Sequence, residues 1–400
     1  MSWRRQAPVL SRVSPRGLLA GYGAAVGLRA SVHAEVSSAL KQRYRALDAV
    51  LTDSGTSALI LALRKIVRPG GTVAYPAYGC IDLTTAALGA GVRVRLYDLD
   101  PATLSPDLDS VRAVVSRGVD AIVVAHLYGY PADTVGVTKI ADDHGIPVIE
   151  DAAQGAGGAL FGALLGSIGH VSILSFGRGK GTTAGGGGAL LVRTPALADW
   201  ASSVRSDLEI GSRGGTEVVS LTAQRLLSHP YLYRLPSSIP GLKIGEMVYR
   251  PPGSPRAMSS AGAAVLRWAL LDEPRQISSR RVRANNLLAR VSRSTQVQAV
   301  RPIPGGEPGF LRFALIDTRD ILTPCVELGI LRGYPMTLAQ HAQLAPLIAV
   351  GETAGPGSEF LRDRLFTVPT HFRVNQSDLV GVTNWLETPK ARSSAPGPGT

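Results

Sequence analysis

The stretch IPVIEDAAQ, residues 146–154, has the pattern of a buried strand that runs into a loop, with Asp151 where the strand ends. A second strand pattern, HVSILSFGRGK over residues 170–180, ends in a glycine loop that carries Lys180. Upstream, short β-branched runs alternate with helical patterns, which is typical of βαβ units. The sequence therefore predicts an α/β domain with a mainly parallel sheet of about six strands.

From about residue 275 the pattern changes to a charged, arginine-bearing helix, a strand at FLRFALIDT and a helix near 319–328, which indicates a smaller α+β domain. The last residues, PKARSSAPGPGT, have almost nothing to bury. The predicted organisation is an N-terminal segment (1–35), a large α/β domain (36–265), a small C-terminal α+β domain (266–388) and a disordered tail (389–400).

Composition excludes several classes of protein. The 400 residues contain only two cysteines, so no disulfide framework is available and the cytoplasm is the expected compartment. The net charge is +12, but the basic residues are scattered. The densest cluster, Arg280, Arg281 and Arg283, favours a solvated helix face over a grip on nucleic acid. Residues 152–176 carry no formal charge, yet six glycines argue against a membrane span.

Three segments contain candidate functional residues. We expect these residues at the carboxyl ends of the strands, where open parallel sheets bind ligands. Small residues at Ser54 to Ser57 open a helix whose N-terminus favours phosphate. Asp151 follows one buried strand, and Lys180 is the only one of six lysines set at the end of another. Together they match what pyridoxal phosphate needs: an amine for the Schiff base, a carboxylate at the pyridine nitrogen and a phosphate cradle.

Four ordered motifs between Asp53 and Val192 carry a family resemblance. They are Gly55-Thr56-Ser57-Ala58-Leu59, the strand end Ala125 to Gly129 with Pro131-Ala132-Asp133, Glu150 to Gln154, and Ser175 to Lys180. In these motifs the chain resembles the DegT/DnrJ/EryC1/StrS sugar aminotransferases, which have the fold of type I pyridoxal-phosphate enzymes. A late segment, residues 365–379, resembles the family more loosely.

The resemblance implies roles for individual residues. Lys180 holds the cofactor and moves the proton at the substrate carbon, and Asp151 pairs with the pyridine nitrogen. Gln154 reaches the phenolic oxygen of the ring, while Ser175 and the Gly55-Thr56 turn bind the phosphate. His126 either lies by the ring or satisfies the strand end, and we favour the structural role. No residue is assigned to a metal.

The sequence departs from the family pattern at three places. Cys80 stands where the family stacks an aromatic residue on the cofactor, so Tyr78 is an alternative stacking residue. The run Gly185 to Gly188 lacks the acid of the family's G-[DE]-G-G pattern. The family's N-Y-R segment, which reaches the neighbouring subunit's cofactor, survives as Val248-Tyr249-Arg250. These departures indicate a divergent branch.

The function implied by the resemblance is transfer of an amino group from an amino acid, such as glutamate, to a keto-sugar attached to a nucleotide. The expected assembly is a homodimer that acts on small molecules, with neither nucleic acid nor membrane as a partner. Two alternatives stay open: a transaminase of a carbocyclic or other non-nucleotide ketone, and a non-catalytic or regulatory homologue. Lys180 argues against a sugar dehydratase of the family, since those enzymes replace the lysine with histidine.

Overall fold

A seven-stranded sheet forms the centre of the protein, whose computed structural model describes residues 4–28, 31–209, 211–238 and 248–387. In chain order the described strands are β1 (Asp48–Thr52), β2 (Thr72–Pro76), β3 (Arg93–Tyr97), β4 (Leu99–Asp100), β5 (Ser105–Pro106), β6 (Ala121–Ala125), β7 (Val148–Asp151), β8 (Ala159–Leu160), β9 (Ala163–Leu164), β10 (Val171–Ser175), β11 (Gly188–Val192), β12 (Val297–Ala299), β13 (Gly306–Glu307), β14 (Arg312–Asp317), β15 (Leu331–Arg332) and β16 (Leu365–Pro369).

Helices cover the sheet and connect its strands. The described helices are α1 (Pro15–Ala25), α2 (Val32–Tyr44), α3 (Gly55–Ile66), α4 (Asp82–Ala90), α5 (Leu108–Ser116), α6 (Thr134–Asp142), α7 (Pro195–Asp207), α8 (Gly215–Leu227), α9 (Arg234–Ser237), α10 (Ser260–Val291), α11 (Pro356–Arg364) and α12 (Gln376–Glu387). The predicted tail, together with Lys243 and Lys390, lies outside the described residues.

The central sheet has the strand order β1-β11-β10-β7-β6-β2-β3. Strand β11 is antiparallel to both of its neighbours, and the other pairs are parallel. This arrangement confirms the predicted α/β class. The prediction missed β1, whose short apolar run pairs with β11 at the edge of the sheet.

Helices pack on both faces of the central sheet, so both faces of its inner strands are buried and carry apolar side chains. In β6, Val123 packs with the side chains of α3 and α4, whereas Ile122 and Val124 pack with those of α5 and α6. Full burial of one such side chain stabilises the fold by roughly 1.5–3 kcal/mol. The helices on both faces leave only the ends of the strands open to ligands.

A four-stranded antiparallel sheet, in the order β12-β14-β16-β15, follows in the second part of the chain. The long helix α10 runs through the predicted domain boundary at 265/266. Ala263 near its start packs against the core that contains α1 and α2, while Leu287 near its end packs against β14 and β16. The division into two domains stays a prediction.

The predicted helix near 319–328 is wrong. Only Val326–Leu328 forms a single 3-10 turn there. The carboxylate of Asp317 accepts hydrogen bonds from the amides of Arg319 at 3.2 Å and Leu322 at 2.7 Å, which turns the chain away from a helical path.

The predicted solvated face at the arginine cluster is also wrong. Arg280 is only 5% exposed, and its Nη2 donates to the carbonyl of Gly181 at 2.8 Å. Arg281 donates to the carbonyl of Gly157, and Arg283 to that of Val374. The cluster therefore joins loops together through their backbone oxygens.

The uncharged stretch at 152–176 forms β8, β9, β10 and the turns between them. None of the helices in the described part of the chain has both the length and the apolar composition that crossing a membrane requires.

Candidate active site

A cleft lies where the parallel strands end, as expected for an open α/β sheet. The space between its walls, counted out to the open mouth, is about 530 Å³. Its lining includes eight residues considered from the sequence: Gly55, Thr56, Cys80, His126, Asp151, Gln154, Ser175 and Lys180. Two predicted cofactor-binding residues, Tyr78 and Arg250, are not among those that line it.

The start of α3 forms one wall of the cleft. The Ser54 hydroxyl caps the helix by accepting a hydrogen bond from the Ser57 amide at 3.0 Å. The amides of Gly55 and Thr56 precede the capped one, so they have no acceptor within the helix. The positive end of the helix dipole and these amides make the wall suited to an anion such as a phosphate.

Close packing beneath this wall requires glycine at two positions. A Cβ atom on Gly188 would lie 2.5 Å from the amide nitrogen of Gly55 and from backbone atoms of Ser54. A Cβ atom on Gly55 would lie 2.8 Å from the Cβ of Ser175. Because both glycines lack a side chain, the Ser175 hydroxyl at the end of β10 approaches the start of α3.

Asp151 and Lys180 bring opposite charges to the lining of the cleft. Asp151 is the last residue of β7, and its Oδ1 accepts a hydrogen bond from the Ala153 amide at 3.0 Å. Burial raises the pKa of Asp151, and the nearby positive charge of Lys180 opposes this shift without cancelling it. An additional cation next to this carboxylate would therefore be stabilising.

The loop that carries Lys180 is held from behind by residues distant in sequence. The Ser11 hydroxyl donates to the carbonyl of Lys180 itself, and Arg280 donates to the carbonyl of the next residue, Gly181. Gly179 has a φ of 78°, a conformation that favours glycine. Nothing in the local sequence indicated the contact with Ser11.

Both ring nitrogens of His126 make hydrogen bonds within the protein. Its Nδ1 accepts a hydrogen bond from the Ala132 amide at 3.0 Å, so its Nε2 carries the proton and donates to Glu150 Oε1, also at 3.0 Å. These bonds support the structural role, although the residue also lines the cleft.

Glu150 was quoted in the sequence motif without a role. Its carboxylate also accepts hydrogen bonds from the amides of Gly166, Ile168 and Gly169. Burial alone would raise the pKa of Glu150, but the His126 hydrogen bond and the surrounding amides outweigh burial and lower this pKa to about 2. Glu150 therefore remains ionised and anchors the loop after β9 beneath the cleft.

Gln154 is held by two hydrogen bonds at the edge of the cleft. Its Oε1 accepts from the Tyr128 amide at 2.9 Å, and its Nε2 donates to the Tyr334 hydroxyl at 2.6 Å. Tyr334 was not predicted, because it lies 180 residues further along the chain.

Cys80, and not Tyr78, lies on the cleft wall. Tyr78 is fully buried, and its hydroxyl accepts a hydrogen bond from the Tyr334 amide at 2.6 Å. The Cys80 thiol lies 3.5 Å from Asp82 Oδ2, and burial is the main cause that raises its pKa to about 12. Arg250 is exposed outside the cleft, where its carbonyl accepts from the Thr85 hydroxyl at 3.0 Å.

A carboxylate does lie beside the glycine run that lacks the family's acid. The Cδ of Glu217, from α8, is 4.0 Å from the position that a Cβ on Gly186 would take. Its Oε2 accepts a hydrogen bond of 2.5 Å from the Ser259 hydroxyl, which caps α10. Glu217 on α8 thus places a carboxylate beside the glycine run, which itself lacks the family's acid.

No group of three or more His, Cys, Asp or Glu side chains suitable for a metal ion occurs within the described ranges. The cleft instead combines an amine, a buried carboxylate and an anion-binding helix start.

Comparison with known proteins identifies relatives of this chain. Residues 32–291 match the DegT/DnrJ/EryC1/StrS aminotransferase family. An L-glutamine:2-deoxy-scyllo-inosose aminotransferase from Streptomyces fradiae is 31% identical over 237 residues, which are 58% of this chain and 50% of the relative. A UDP-N-acetyl-3-dehydro-alpha-D-glucosamine 3-aminotransferase from Acidithiobacillus ferrooxidans is 36% identical over 144 residues, 36% of this chain and 39% of the relative. The chain thus spans about half, or less, of the length of these curated relatives.

Among solved structures, the GDP-4-keto-6-deoxy-D-mannose-3-dehydratase of E. coli, with bound hydrated PLP, aligns with a TM-score of 0.74 at 17% identity. The alignment covers 96% of this chain and 99% of the dehydratase. This likeness confirms the predicted fold of type I pyridoxal-phosphate enzymes.

Proposed function

The chain belongs to the DegT/DnrJ/EryC1/StrS aminotransferase family, and from this premise we propose that it is a pyridoxal-phosphate-dependent aminotransferase that acts on a polyhydroxylated cyclic ketone. One observation carries the proposal. Lys180, Asp151 and the start of α3 come from separate elements, and all three line one cleft.

The residues of the cleft fit pyridoxal phosphate. The phosphate would bind the start of α3 and the Ser175 hydroxyl, which the absence of a side chain on Gly55 allows to lie close together. The protonated pyridine nitrogen would supply a second cation beside the buried Asp151 carboxylate, whose burial Lys180 alone does not offset. Among the described residues, Lys180 is the one lysine on the lining of this cleft, so it is the proposed amine for covalent attachment.

Pyridoxal phosphate supplies the electron sink for amino-group transfer when it is bound. The protein's own groups supply position and proton transfer. Lys180 Nζ would take and return the proton at the substrate carbon that exchanges its nitrogen. Asp151 would keep the ring nitrogen protonated, and Gln154 would donate to an oxygen at the edge of the ring.

A nucleotide-linked keto-sugar is our leading acceptor. The net charge of +12 favours an anionic substrate such as a sugar diphosphate. The relative from Acidithiobacillus ferrooxidans is named for a UDP-linked sugar of this kind. Glutamate remains the proposed amino donor.

A carbocyclic ketone is the second candidate. The relative from Streptomyces fradiae is named for 2-deoxy-scyllo-inosose as acceptor and L-glutamine as donor. The mouth of the cleft is open, so a compact ring without a nucleotide could also enter. Glutamine is accordingly the alternative donor.

We further propose a cytoplasmic homodimer. Both cysteines, Cys80 and Cys325, are unpaired thiols, as expected for a reducing compartment. Arg250 lies outside its own cleft and is exposed, so its proposed contact with a cofactor requires a second subunit.

The visible absorption spectrum of the protein with added pyridoxal phosphate tests the cofactor proposal. We expect a visible band that Lys180→Ala abolishes. Lys139→Ala is the matched control, because Lys139 is exposed on α6 and should leave the band unchanged. A wild-type protein with no band would overturn the proposal and favour a non-catalytic homologue.

The amino donor and acceptor are then tested in two half-reactions. Addition of glutamate or glutamine should convert the visible band to that of the aminated cofactor. The aminated protein should regain the original band with a UDP-linked 3-keto-sugar if our leading acceptor is correct. Recovery with 2-deoxy-scyllo-inosose alone would favour the carbocyclic candidate.

A further inference from the structure

The orientation of the Gln154 carboxamide is determined by its neighbours. The two ends of a carboxamide are nearly the same size, so an unrestrained side chain can present either its oxygen or its nitrogen to a ligand. The Tyr128 amide can only donate, so the group that faces it at 2.9 Å is Oε1. The nitrogen of Gln154 therefore faces the opposite direction.

Tyr334 restrains that nitrogen. One N–H of Gln154 Nε2 donates to the Tyr334 hydroxyl at 2.6 Å. The second N–H is left for the cleft that Gln154 lines. Rotation of the carboxamide would break the hydrogen bond from the Tyr128 amide and would force the Tyr334 hydroxyl to change from acceptor to donor.

Tyr334 is itself held rigidly. Its ring stacks on that of Tyr128, with centroids 5.3 Å apart and an interplanar angle of 27°. Its amide donates to the Tyr78 hydroxyl, and the preceding amide, of Gly333, donates to the Leu365 carbonyl at 2.8 Å. The residue is 5% exposed, so its hydroxyl has little freedom to move away from Gln154.

We propose that Tyr334 is a positioning residue that locks Gln154 as a fixed hydrogen-bond donor toward the ring oxygen of the bound cofactor. This inference rests on the proposed function. Tyr334 follows β15 of the four-stranded sheet, whereas Gln154 follows β7 of the central sheet. The position of the smaller sheet is thereby coupled to the electronic state of the cofactor.

A donor at the ring oxygen stabilises its anionic form, and this has a measurable consequence. In the lysine-bound cofactor the ring oxygen shares negative charge with the nitrogen of the lysine linkage, so a donor at the oxygen lowers the proton affinity of that nitrogen. Loss of the donor should raise the pH at which the visible band titrates. A role that was purely structural would lower stability without moving this midpoint.

The experiment is a pH titration of the visible band in the cofactor-loaded protein. In Tyr334→Phe, which removes only the hydroxyl, we expect the midpoint to rise by about 0.5 pH unit or more. Tyr130→Phe is the matched control: Tyr130 is also buried, and its hydroxyl accepts from the Ala314 amide at 3.1 Å, away from Gln154. The control should lose stability with no change in the midpoint.

A double variant tests whether Tyr334 acts through Gln154. In Gln154→Ala, the midpoint should already be raised, and adding Tyr334→Phe should raise it no further. An unchanged midpoint in Tyr334→Phe, or an equal rise with and without Gln154, would overturn the inference while the proposed function stands. A wild-type protein without a visible band would overturn both.

Discussion

The Cα of Gly55 and the side chain of Ser175 approach so closely that a Cβ on residue 55 would lie 2.8 Å from the Cβ of Ser175. Real Cβ atoms essentially never come this close to another carbon, so residue 55 must be glycine for β10 and α3 to meet. This contact places the Ser175 hydroxyl at the positive end of α3, where the proposed phosphate site lies.

Gly55→Ala should therefore separate Ser175 from the start of α3. We expect the affinity for pyridoxal phosphate to fall at least about tenfold and the free energy of unfolding to fall by about 1–3 kcal/mol, as in other overpacked sites. Cofactor titration and chemical denaturation measure the two effects. Gly253→Ala is the control, since within the described part of the chain nothing beyond its two chain neighbours lies within 4 Å of its added methyl group. Equal cofactor affinity in both variants would contradict the proposed phosphate site.

Asp151→Asn should stabilise the cofactor-free protein but weaken cofactor binding. Burial raises the pKa of Asp151, so at neutral pH the folded state bears the cost of an ionised carboxylate. The carboxamide removes that cost, and we expect a higher melting temperature at pH 7. Because the wild-type carboxyl takes up a proton on acidification, the difference should shrink as pH falls through its raised pKa. A lower melting temperature at pH 7 would contradict this account of the carboxylate.

Glu150→Gln should destabilise the protein strongly at neutral pH. The pKa of Glu150 is lowered from 4.5 to about 2, which corresponds to roughly 3 kcal/mol of stability above pH 4.5. This contribution is lost as pH falls from about 4.5 toward 2, because protonation then removes the charge that the surrounding amides bind. Denaturation at pH 7 and pH 3 measures it. The gap between wild type and variant should be smaller at pH 3.

The Cys80 thiol should react slowly with alkylating reagents although it lines the cleft. Its pKa is raised to about 12, so at pH 8 only about one thiol in ten thousand is the reactive thiolate. Labelling of a Cys325→Ser variant follows Cys80 alone, and the rate should still rise about tenfold per pH unit between pH 8 and pH 10. A rate that levels off below pH 10 would show an ordinary thiol.

Arg250 and Lys180 should act in the same site from different subunits. Arg250→Ala alone should lower the affinity for pyridoxal phosphate, and Lys180→Ala alone should be inactive. A mixed dimer of the two variants contains one site with both native residues. At a cofactor concentration too low to load the Arg250→Ala homodimer, random pairing should therefore give about a quarter of wild-type activity. A mixture no more active than its share of Arg250→Ala protein alone would show that Arg250 does not cross to a partner.

The local sequence indicated the parts of the cleft that follow directly from strand ends. Asp151 and Ser175 each terminate a strand, and Lys180 lies in the glycine loop just beyond one. Parallel strands end at the same edge of a sheet, so these residues were predicted to meet. By contrast, β1 was missed because a short edge strand has a weak pattern, and the helix at 319–328 was wrong because the Asp317 side chain competes for its amides.

By itself, the sequence determined the α/β class, and it predicted that Asp151 and Lys180 follow strand ends, because both depend on residues that are neighbours in the chain. Only the tertiary structure decided which groups support them: Tyr334 against Gln154, Glu217 beside Gly186, and Ser11 behind Lys180. Each of these contacts joins segments far apart in sequence. Packing of whole helices and sheets brings such partners together, and the local periodicity of the sequence does not predict these contacts.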